Sequence, residues 1–421
     1  MTSSARPAAA LVAVAAACAV VAAAPAVAVP TVRAATRVSA ASADHRIATK
    51  LAGRVHASAL GSDVALRVFD PATGATVYSH QGAVAQLPAS NMKLVTALTS
   101  LTVLGPATRF PTTVMAGSKA GHVVLVGGGD PLLTATNLRT LAARTVSGLA
   151  SRASTHQAPA HVTLALDDHL FVKPTRARGW TSSYGLGDIS PVRALGVHGV
   201  ASSDTSVAAE RTFAAALAAR GVRVTYTGRT ATYTATRIAV LAGHRVDTDV
   251  HQMLRNSDNQ VAETLFRQVA LATERTATWS GGAAAARAVL EQDGVPLAHV
   301  ALVDGSGLSR ANRLTNAAVI MILRRATVSP PARLAVLVPS LPTSGRTGTL
   351  RGRFVTPASR CAVGLVHAKT GFVNGVVALS GVARGADGKP RLFSIIVNHA
   401  PAVTATQHAV DALAATITGC R

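Results

Sequence analysis

Aromatic residues, lysine, cysteine and acidic residues are all scarce in this chain of 421 residues. Only 3% of the residues are aromatic although 49% are hydrophobic, so alanine and valine must do much of the packing. The length allows one large domain or two or three smaller ones. The histidines form no H-E-x-x-H pattern, which argues against a metal hydrolase. We expect neither a metal ion nor a cofactor.

The scarcity of acidic residues makes the chain strongly basic. Aspartate and glutamate number 19 against 41 lysines and arginines, which gives a formal net charge of +22. Such a charge raises nucleic-acid binding as a function. The arginines are dispersed, however, and they do not alternate with aromatic residues, so we predict no nucleic-acid partner. Anionic cell-wall polymers or a membrane surface are the expected partners by charge, through an unspecific and salt-sensitive attraction.

Long apolar runs are absent after the first residues of the chain. Residues 1–7 contain one positive charge, residues 8–24 are apolar, and Ala26-Val27-Ala28 is a small-x-small cleavage signal. This pattern predicts a secretory signal peptide over residues 1–28, with cleavage near Ala28 and export to the cell wall or extracellular space. A permanent membrane anchor is the alternative, although the run is short for a spanning helix.

The few cysteines allow one disulfide in the mature chain. Removal of the signal peptide also removes Cys18, so Cys361 and Cys420 remain. They either form a disulfide outside the cytoplasm or stay as two buried thiols. A disulfide over that separation would stabilise the fold by about 4 kcal/mol in the loop-entropy model.

Periodicity along the chain predicts its helices and strands. Residues 29–50 are expected to be a flexible leader. Two strands joined by a turn are predicted at 64–69 and 75–79, before a buried helix that ends near Gly105. Short strands and one helix follow up to about residue 244. The remaining chain predicts a helical stretch over 247–272, further helices and loops, an antiparallel sheet and a last helix over 403–418.

Three short motifs contain the candidate catalytic residues. They occur in the order Ser90-Asn91-Met92-Lys93, Ser257-Asp258-Asn259 and Lys369-Thr370-Gly371. Each motif is weak alone, because Ser-x-x-Lys and Ser-x-Asn arise by chance or as turns and helix caps. Together they form the active-serine set of penicillin-recognising enzymes.

The chemistry explains why these residue types are needed. A serine hydroxyl is a poor nucleophile at neutral pH unless a base lies beside it. Lys93 lies one helical turn after Ser90, and a lysine becomes a base when burial or a nearby cation lowers its pKa. Lys369 supplies such a cation. Ser257 can relay a proton to the leaving nitrogen, and Asn259 can donate to a substrate amide carbonyl.

The third motif is expected to bind substrate. Lys369 and Thr370 on an edge strand can hold an anionic group. The backbone N–H groups of Ser90 and Phe372, the residue after Gly371, would form an oxyanion hole.

With these motifs the chain resembles the penicillin-binding protein 4-like D-alanyl-D-alanine carboxypeptidases and endopeptidases, the low-molecular-mass class C group. The resemblance spans roughly residues 60–400 and includes three further stretches. These stretches are residues 125–133, residues 304–310 and residues 348–354, and the context of the second motif, residues 257–263, is similar too.

The resemblance implies an α+β fold, namely a β-lactamase/transpeptidase-like domain split by a smaller inserted α/β domain. Residues 51–105 and 245–421 would form the catalytic domain, and residues 106–244 the insert. It also implies an exported peptidase that acts on peptidoglycan stem peptides through an acyl-enzyme on Ser90, and that β-lactam antibiotics inhibit.

One residue departs from the family pattern. Many relatives have threonine or serine after Lys-Thr-Gly, where a hydroxyl helps to bind the substrate carboxylate, and this chain has Phe372. The strength of carboxylate recognition, and the balance of carboxypeptidase and endopeptidase activity, therefore stay open.

Two other functions fit parts of the pattern. A class A β-lactamase has the same motifs but needs a glutamate that activates water, and Glu210 is the only glutamate between Ser90 and Ser257. The second alternative is a catalytically weak cell-wall-binding protein that keeps the fold. Phe372 and the high positive charge are compatible with this alternative.

Overall fold

The computed structural model describes residues 33–420, so the predicted signal peptide lies outside the described residues. The helices among the described residues are α1 Arg33–Arg54, α2 Met92–Val103, α3 Ala135–Ala150, α4 Thr205–Ala218, α5 Val246–Asn256, α6 Asn259–Ala272, α7 Trp279–Gln292, α8 Asn316–Thr327 and α9 Val403–Ile417. The strands are β1 Val64–Asp70, β2 Ala75–His80, β3 Ala85–Gln86, β4 Thr112–Ala116, β5 His122–Val126, β6 His161–Asp167, β7 Arg223–Arg229, β8 Arg237–Leu241, β9 Leu314–Thr315, β10 Val366–Val373, β11 Val376–Arg384 and β12 Pro390–Asn398.

The main sheet has five antiparallel strands in the order β10-β11-β12-β1-β2. Successive side chains of a strand point to opposite faces, and both faces of this sheet are covered. Ile395 and Val397 of β12 belong to a core that includes apolar residues of α1 and α9. Leu392 of the same strand belongs to the core that includes α2 and α8. The strand β10 lies at one edge of the sheet, where a substrate can approach it.

The N-terminal segment that we expected to be a flexible leader is a helix instead. Helix α1 begins at Arg33, and its residues Ile47 and Leu51 are buried in the core beneath the main sheet. The fully buried guanidinium of Arg391 donates hydrogen bonds of 3.0 and 2.8 Å to Asp44. The leader prediction is therefore wrong for residues 33–50, because this alanine-rich stretch has high helix propensity and an apolar side to bury.

A second sheet lies between residues 112 and 241, with the strand order β7-β6-β5-β4-β8. Strands β5, β6 and β7 are parallel, and helices α3 and α4 make the crossovers that parallel pairing requires. These elements bury their own apolar core. We propose that residues 106–244 form the inserted domain predicted from the sequence.

Helix α2 lies at the centre of a helical cluster and packs against α5, α6, α7 and α8. All residues from Met92 to Leu101 are buried, as the apolar spacing predicted. The position of Lys93 on this buried helix is therefore enough to shield its side chain from water.

The stretch 247–272 that we predicted to be helical is two helices. Ser257 has the left-handed conformation (φ 60°, ψ 36°) that ends α5. Asp258 then accepts a hydrogen bond of 3.0 Å from the backbone N–H of Val261 and so caps the start of α6. Aspartate prefers such caps to helix interiors, and this preference separates the helices at the second motif.

Cys361 and Cys420 form a disulfide, so the alternative of two buried thiols is wrong. The bond joins the residues that follow α9 to the turn before β10. None of the helices between residues 33 and 420 combines the length and the apolar character needed to cross a membrane.

Candidate active site

Ser90 and Lys93 lie where the main sheet meets the helical cluster. Ser90 is in a 3-10 turn, Ala89–Asn91, that leads directly into α2. Lys93 follows in the first turn of the helix, and its Nζ is 3.0 Å from Ser90 Oγ. The sequence spacing of three residues therefore brings the amine and the hydroxyl into hydrogen-bond contact.

Lys93 is fully buried and has two further hydrogen-bond acceptors. Its Nζ is 2.7 Å from Asn259 Oδ1 and 2.9 Å from the carbonyl oxygen of Ser306. Burial lowers the pKa of Lys93 to about 8, although the negative charges of Glu263, Asp304 and Asp258 partly oppose this shift. About one molecule in ten would then have a neutral amine at pH 7.

The second motif is only partly joined to this pair. Asn259 Oδ1 accepts from Lys93, while Asn259 Nδ2 donates to the backbone carbonyl of Asp188 at 2.9 Å. Ser257 lines a cavity beside α6, and within the described residues its hydroxyl makes no hydrogen bond. The structure thus brings Asn259 to Lys93 and leaves the Ser257 hydroxyl available for another group.

The third motif lies on the edge strand β10. Lys369 is fully buried, and its Nζ donates to the carbonyl oxygen of Thr370 at 2.8 Å. Burial lowers the pKa of Lys369, and the charge of Lys93 lowers it further. The two amines are therefore electrostatic neighbours. The expected role of Lys369 as the cation that lowers the pKa of Lys93 stays a prediction, because the shift of Lys93 comes from its burial.

Gly371 lets the third motif approach the turn that contains Ser90. A Cβ atom at Gly371 would lie 3.0 Å from the carbonyl oxygen of Pro88 and 3.3 Å from the Cβ of Ala89. Glycine therefore allows the close approach of strand and turn. The next side chain, Phe372, is 52% exposed.

Sequence reasoning did not assign a role to two buried carboxylates behind Lys93. Glu263 accepts hydrogen bonds from the backbone N–H groups of Gly305 and Ser306, at 3.1 and 2.8 Å. Asp304 accepts from the N–H groups of Gly307 and Ser309, at 2.9 and 2.6 Å. Together they hold the loop in which the Ser306 carbonyl oxygen accepts a hydrogen bond from Lys93. Both residues lie in stretches that suggested the family, but their partners became visible only in the fold.

These carboxylates also set the charge near Lys93. Burial raises the pKa of Glu263, and the negative charge of Asp304 raises it further. The backbone and Trp279 N–H groups that donate to Glu263 oppose this shift.

His198 connects the segment of the second sheet to the second motif. Its Nε2 is 2.9 Å from Asp258 Oδ2, and this hydrogen bond raises the pKa of His198. Both residues line a cavity of about 330 Å³ that also includes Ser257 and Asn259. No signal in the sequence pointed to His198.

Gly307→Ala is expected to destabilise the protein by about 3 kcal/mol, because a Cβ at this position would overlap the carbonyl oxygen of Ala89, and because Gly307 has φ +87°. Urea unfolding measures the change. Gly221→Ala is the matched control, since Gly221 has φ +81° but open space around it, and it should cost only about 1 kcal/mol. Equal losses in both variants would contradict the predicted overlap.

A Ser-x-x-Lys turn that packs against a Lys-Thr-Gly strand, with a Ser-x-Asn motif beside them, is the motif set shared by penicillin-binding proteins and class A β-lactamases. The family model of D-Ala-D-Ala carboxypeptidase 3 (S13) matches residues 47–199 and 197–417. The chain belongs to this family.

Relatives of known name cover most of the chain. Carboxypeptidase DacB of Mycolicibacterium smegmatis is 32% identical over 392 residues, which cover 89% of this chain and 84% of that protein. The D-alanyl-D-alanine carboxypeptidase of Actinomadura sp. strain R39 is 30% identical over 443 residues, which cover 82% and 79%. The predicted family and the serine-type D-Ala-D-Ala carboxypeptidase activity are thereby confirmed.

The solved structures show the same fold. Penicillin-binding protein 4 of Haemophilus influenzae aligns with a TM-score of 0.74 and 20% identity, over 86% of this chain and 98% of that chain. A structure of the same protein in complex with a β-lactam aligns with a TM-score of 0.67 and 20% identity, over 88% and 97%. The predicted α+β class is confirmed.

Proposed function

We propose that the chain is an exported enzyme of the cell wall that cleaves peptidoglycan stem peptides through an acyl-enzyme on Ser90. One observation supports this proposal above all others. The Lys93 amine is fully buried, has a pKa lowered to about 8, and lies 3.0 Å from the Ser90 hydroxyl. A serine with such a base beside it is an activated nucleophile.

Acylation follows from these positions. Ser90 Oγ attacks the carbonyl carbon of a D-alanyl-D-alanine bond while Lys93 takes the hydroxyl proton. The oxyanion is held by the backbone N–H groups of Ser90 and Phe372. The peptide C–N bond then breaks, and the proton moves from Lys93 through Ser257 to the leaving amine.

Deacylation uses the same residues. Water attacks the ester carbon and gives up a proton to Lys93. The bond between the acyl carbon and Ser90 Oγ then breaks, and Lys93 returns the proton to Ser90 Oγ. Asn259 supports both steps from two sides, since its Oδ1 orients Lys93 and its Nδ2 can donate to a substrate amide carbonyl.

Endopeptidase activity on D-centred crosslinks is part of the proposal, because the same acyl transfer serves any leaving amine. β-Lactam antibiotics should trap the ester, since their leaving group stays tethered after ring opening. The β-lactam complex of the Haemophilus influenzae protein supports this ligand class. The net charge of +22 suits attraction to anionic cell-wall polymers or a membrane surface.

The β-lactamase alternative loses support from the position of Glu210. This glutamate is on α4 and is buried against the second sheet, outside the Ser90 surroundings. Glu263 is nearer, but its oxygens already accept from backbone N–H groups of the loop behind Lys93. Neither carboxylate is placed to activate a deacylating water at Ser90.

Product analysis tests the proposed function directly. The protein, expressed without residues 1–28, is incubated with a stem pentapeptide and, separately, with a crosslinked stem-peptide dimer. Release of D-alanine from the first substrate establishes carboxypeptidase activity, and conversion of the dimer to monomers establishes endopeptidase activity. A folded protein that releases neither product would leave the wall-binding alternative.

The pH dependence should report the ionisation of Lys93. The general base must be neutral, and its pKa is lowered to about 8. The value of kcat/KM is therefore expected to fall about tenfold per pH unit below pH 8 and to level off above it. Stopped-flow acylation by benzylpenicillin between pH 5.5 and 9.5 measures this profile. A rate that is constant from pH 6 to 9 would contradict Lys93 as the base.

A further inference from the structure

A groove with basic and hydroxyl side chains lies beside the catalytic motifs. Its volume is about 690 Å³. We call it the basic groove, and the lining side chains that matter are His251, Arg255, Asn256, Thr347, Thr349 and Arg351.

The groove starts between the second and third motifs. Asn256 is the residue before Ser257, and the side chain of Asn256 is exposed. On the other side, Thr349 Oγ1 is 2.7 Å from Thr370 Oγ1 of the third motif. A molecule bound across both motifs would therefore extend into the basic groove.

This inference rests on the proposed function. The proposed function determines which part of the substrate extends into the basic groove. Ser257 must lie close to the leaving nitrogen in order to protonate it. The groove continues from Asn256, beside Ser257, so it lies on the side of the leaving group. The part of the substrate beyond the scissile bond should enter it.

The basic groove has positive charges that no carboxylate among the described residues neutralises. Arg255 donates to the neutral acceptors Thr347 Oγ1 and Pro339 O, and its buried Nε has no hydrogen-bond partner in the described part of the chain. Arg351 is exposed, and within residues 33–420 neither arginine forms an ion pair with a carboxylate. The groove lining includes no acidic residue among the described residues.

The field of Arg255 acts on its neighbours. Burial lowers the pKa of His251 and of His367, and the charge of Arg255 lowers both further. A positive field with free guanidinium donors and hydroxyl groups is suited to a carboxylate.

We propose that the basic groove binds the free α-carboxylate of the leaving D-amino acid, with Arg351 and Arg255 as its cationic partners and the Thr349–Thr370 hydroxyl pair at its inner end. Phe372 offers no hydroxyl for this carboxylate. The groove supplies the recognition instead, and both D-alanine and the D-centre of a crosslink present this group. Arg351 is a specificity residue outside the three motifs.

The test compares two substrates that differ only at the carboxylate. One is an N-acylated stem peptide that ends in D-Ala-D-Ala, and the other is the same peptide with a C-terminal carboxamide. The wild-type protein should cleave the free acid with a kcat/KM about tenfold above that for the carboxamide. In the Arg351→Gln variant, kcat/KM for the free acid should fall, so that most of the preference is lost. The kcat/KM for the carboxamide should stay at the wild-type value.

Two further variants make the test specific. Arg255→Gln should also reduce the preference, and its rate on the carboxamide shows whether the site is still intact. Arg223→Gln on the exposed strand β7 removes the same charge from the second sheet and should leave the preference unchanged. Both rates are measured at the same ionic strength.

Two results would overturn the groove proposal while leaving the proposed function in place. One is equal cleavage of free acid and carboxamide by the wild-type protein, and the other is an Arg351→Gln variant that retains the full preference. Failure of the wild-type protein to cleave either peptide or to form an adduct with benzylpenicillin is a different result. It would remove the proposed function and this inference together.

Discussion

Ser90→Ala is expected to lower D-alanine release by a factor on the order of 10⁴ or more, because the variant has no atom that can form the acyl-enzyme. The fold should persist. Lys93 keeps two acceptors, Asn259 Oδ1 and the Ser306 carbonyl, so its buried amine stays hydrogen-bonded. Release of D-alanine from a stem pentapeptide, followed by chromatography, measures the loss.

The matched control is Ser79→Ala on β2, an exposed serine at the sheet edge opposite to β10. It should retain full activity, and both variants should show the thermal unfolding of the wild type. Retention of more than a few per cent of activity by a pure Ser90→Ala protein would assign the nucleophile to another residue.

Lys93→Met is expected to reduce the acylation rate by about 10³-fold, since among the described residues the hydroxyl of Ser90 then has no base within hydrogen-bond distance. Methionine is unbranched, is one heavy atom shorter than lysine, and suits the buried position. The residual rate should also lose its rise through pH 8, because the group that titrates there is gone. Stopped-flow acylation by benzylpenicillin at several pH values measures both effects.

Lys119→Met is the control for removal of a lysine, as Lys119 is exposed in the turn between β4 and β5. Its rate and pH profile should equal those of the wild type. If Lys93→Met kept the wild-type pH profile at a reduced rate, Lys93 would position Ser90 and another group would act as the base.

The sequence predicted the parts of the fold that have a strong local pattern. The hairpin of β1 and β2, the buried helix α2 and the C-terminal strands followed from apolar periodicity and turn residues. Ser90 and Lys93 were recognised because a spacing of three residues on a helix places both side chains on the same face. The association of three motifs then identified the family.

Other features depend on contacts between distant residues, which local pattern does not include. Helix α1 was missed because its anchor, the ion pair of Asp44 with Arg391, joins residues 347 positions apart. The contact of Asn259 Oδ1 with Lys93 spans 166 positions. Glu263 and Asp304 were visible as family-like residues, but their backbone partners are defined only by the folded loop.

Intact mass spectrometry with benzylpenicillin tests the acyl-serine mechanism most directly. The protein without residues 1–28 is incubated with an excess of the drug, and the adduct is located by peptide mapping. We predict one penicilloyl group per molecule, as an ester on the peptide that contains Ser90, and no adduct on Ser90→Ala. An unmodified mass for the folded wild-type protein, or an adduct that persists in Ser90→Ala, would contradict this mechanism.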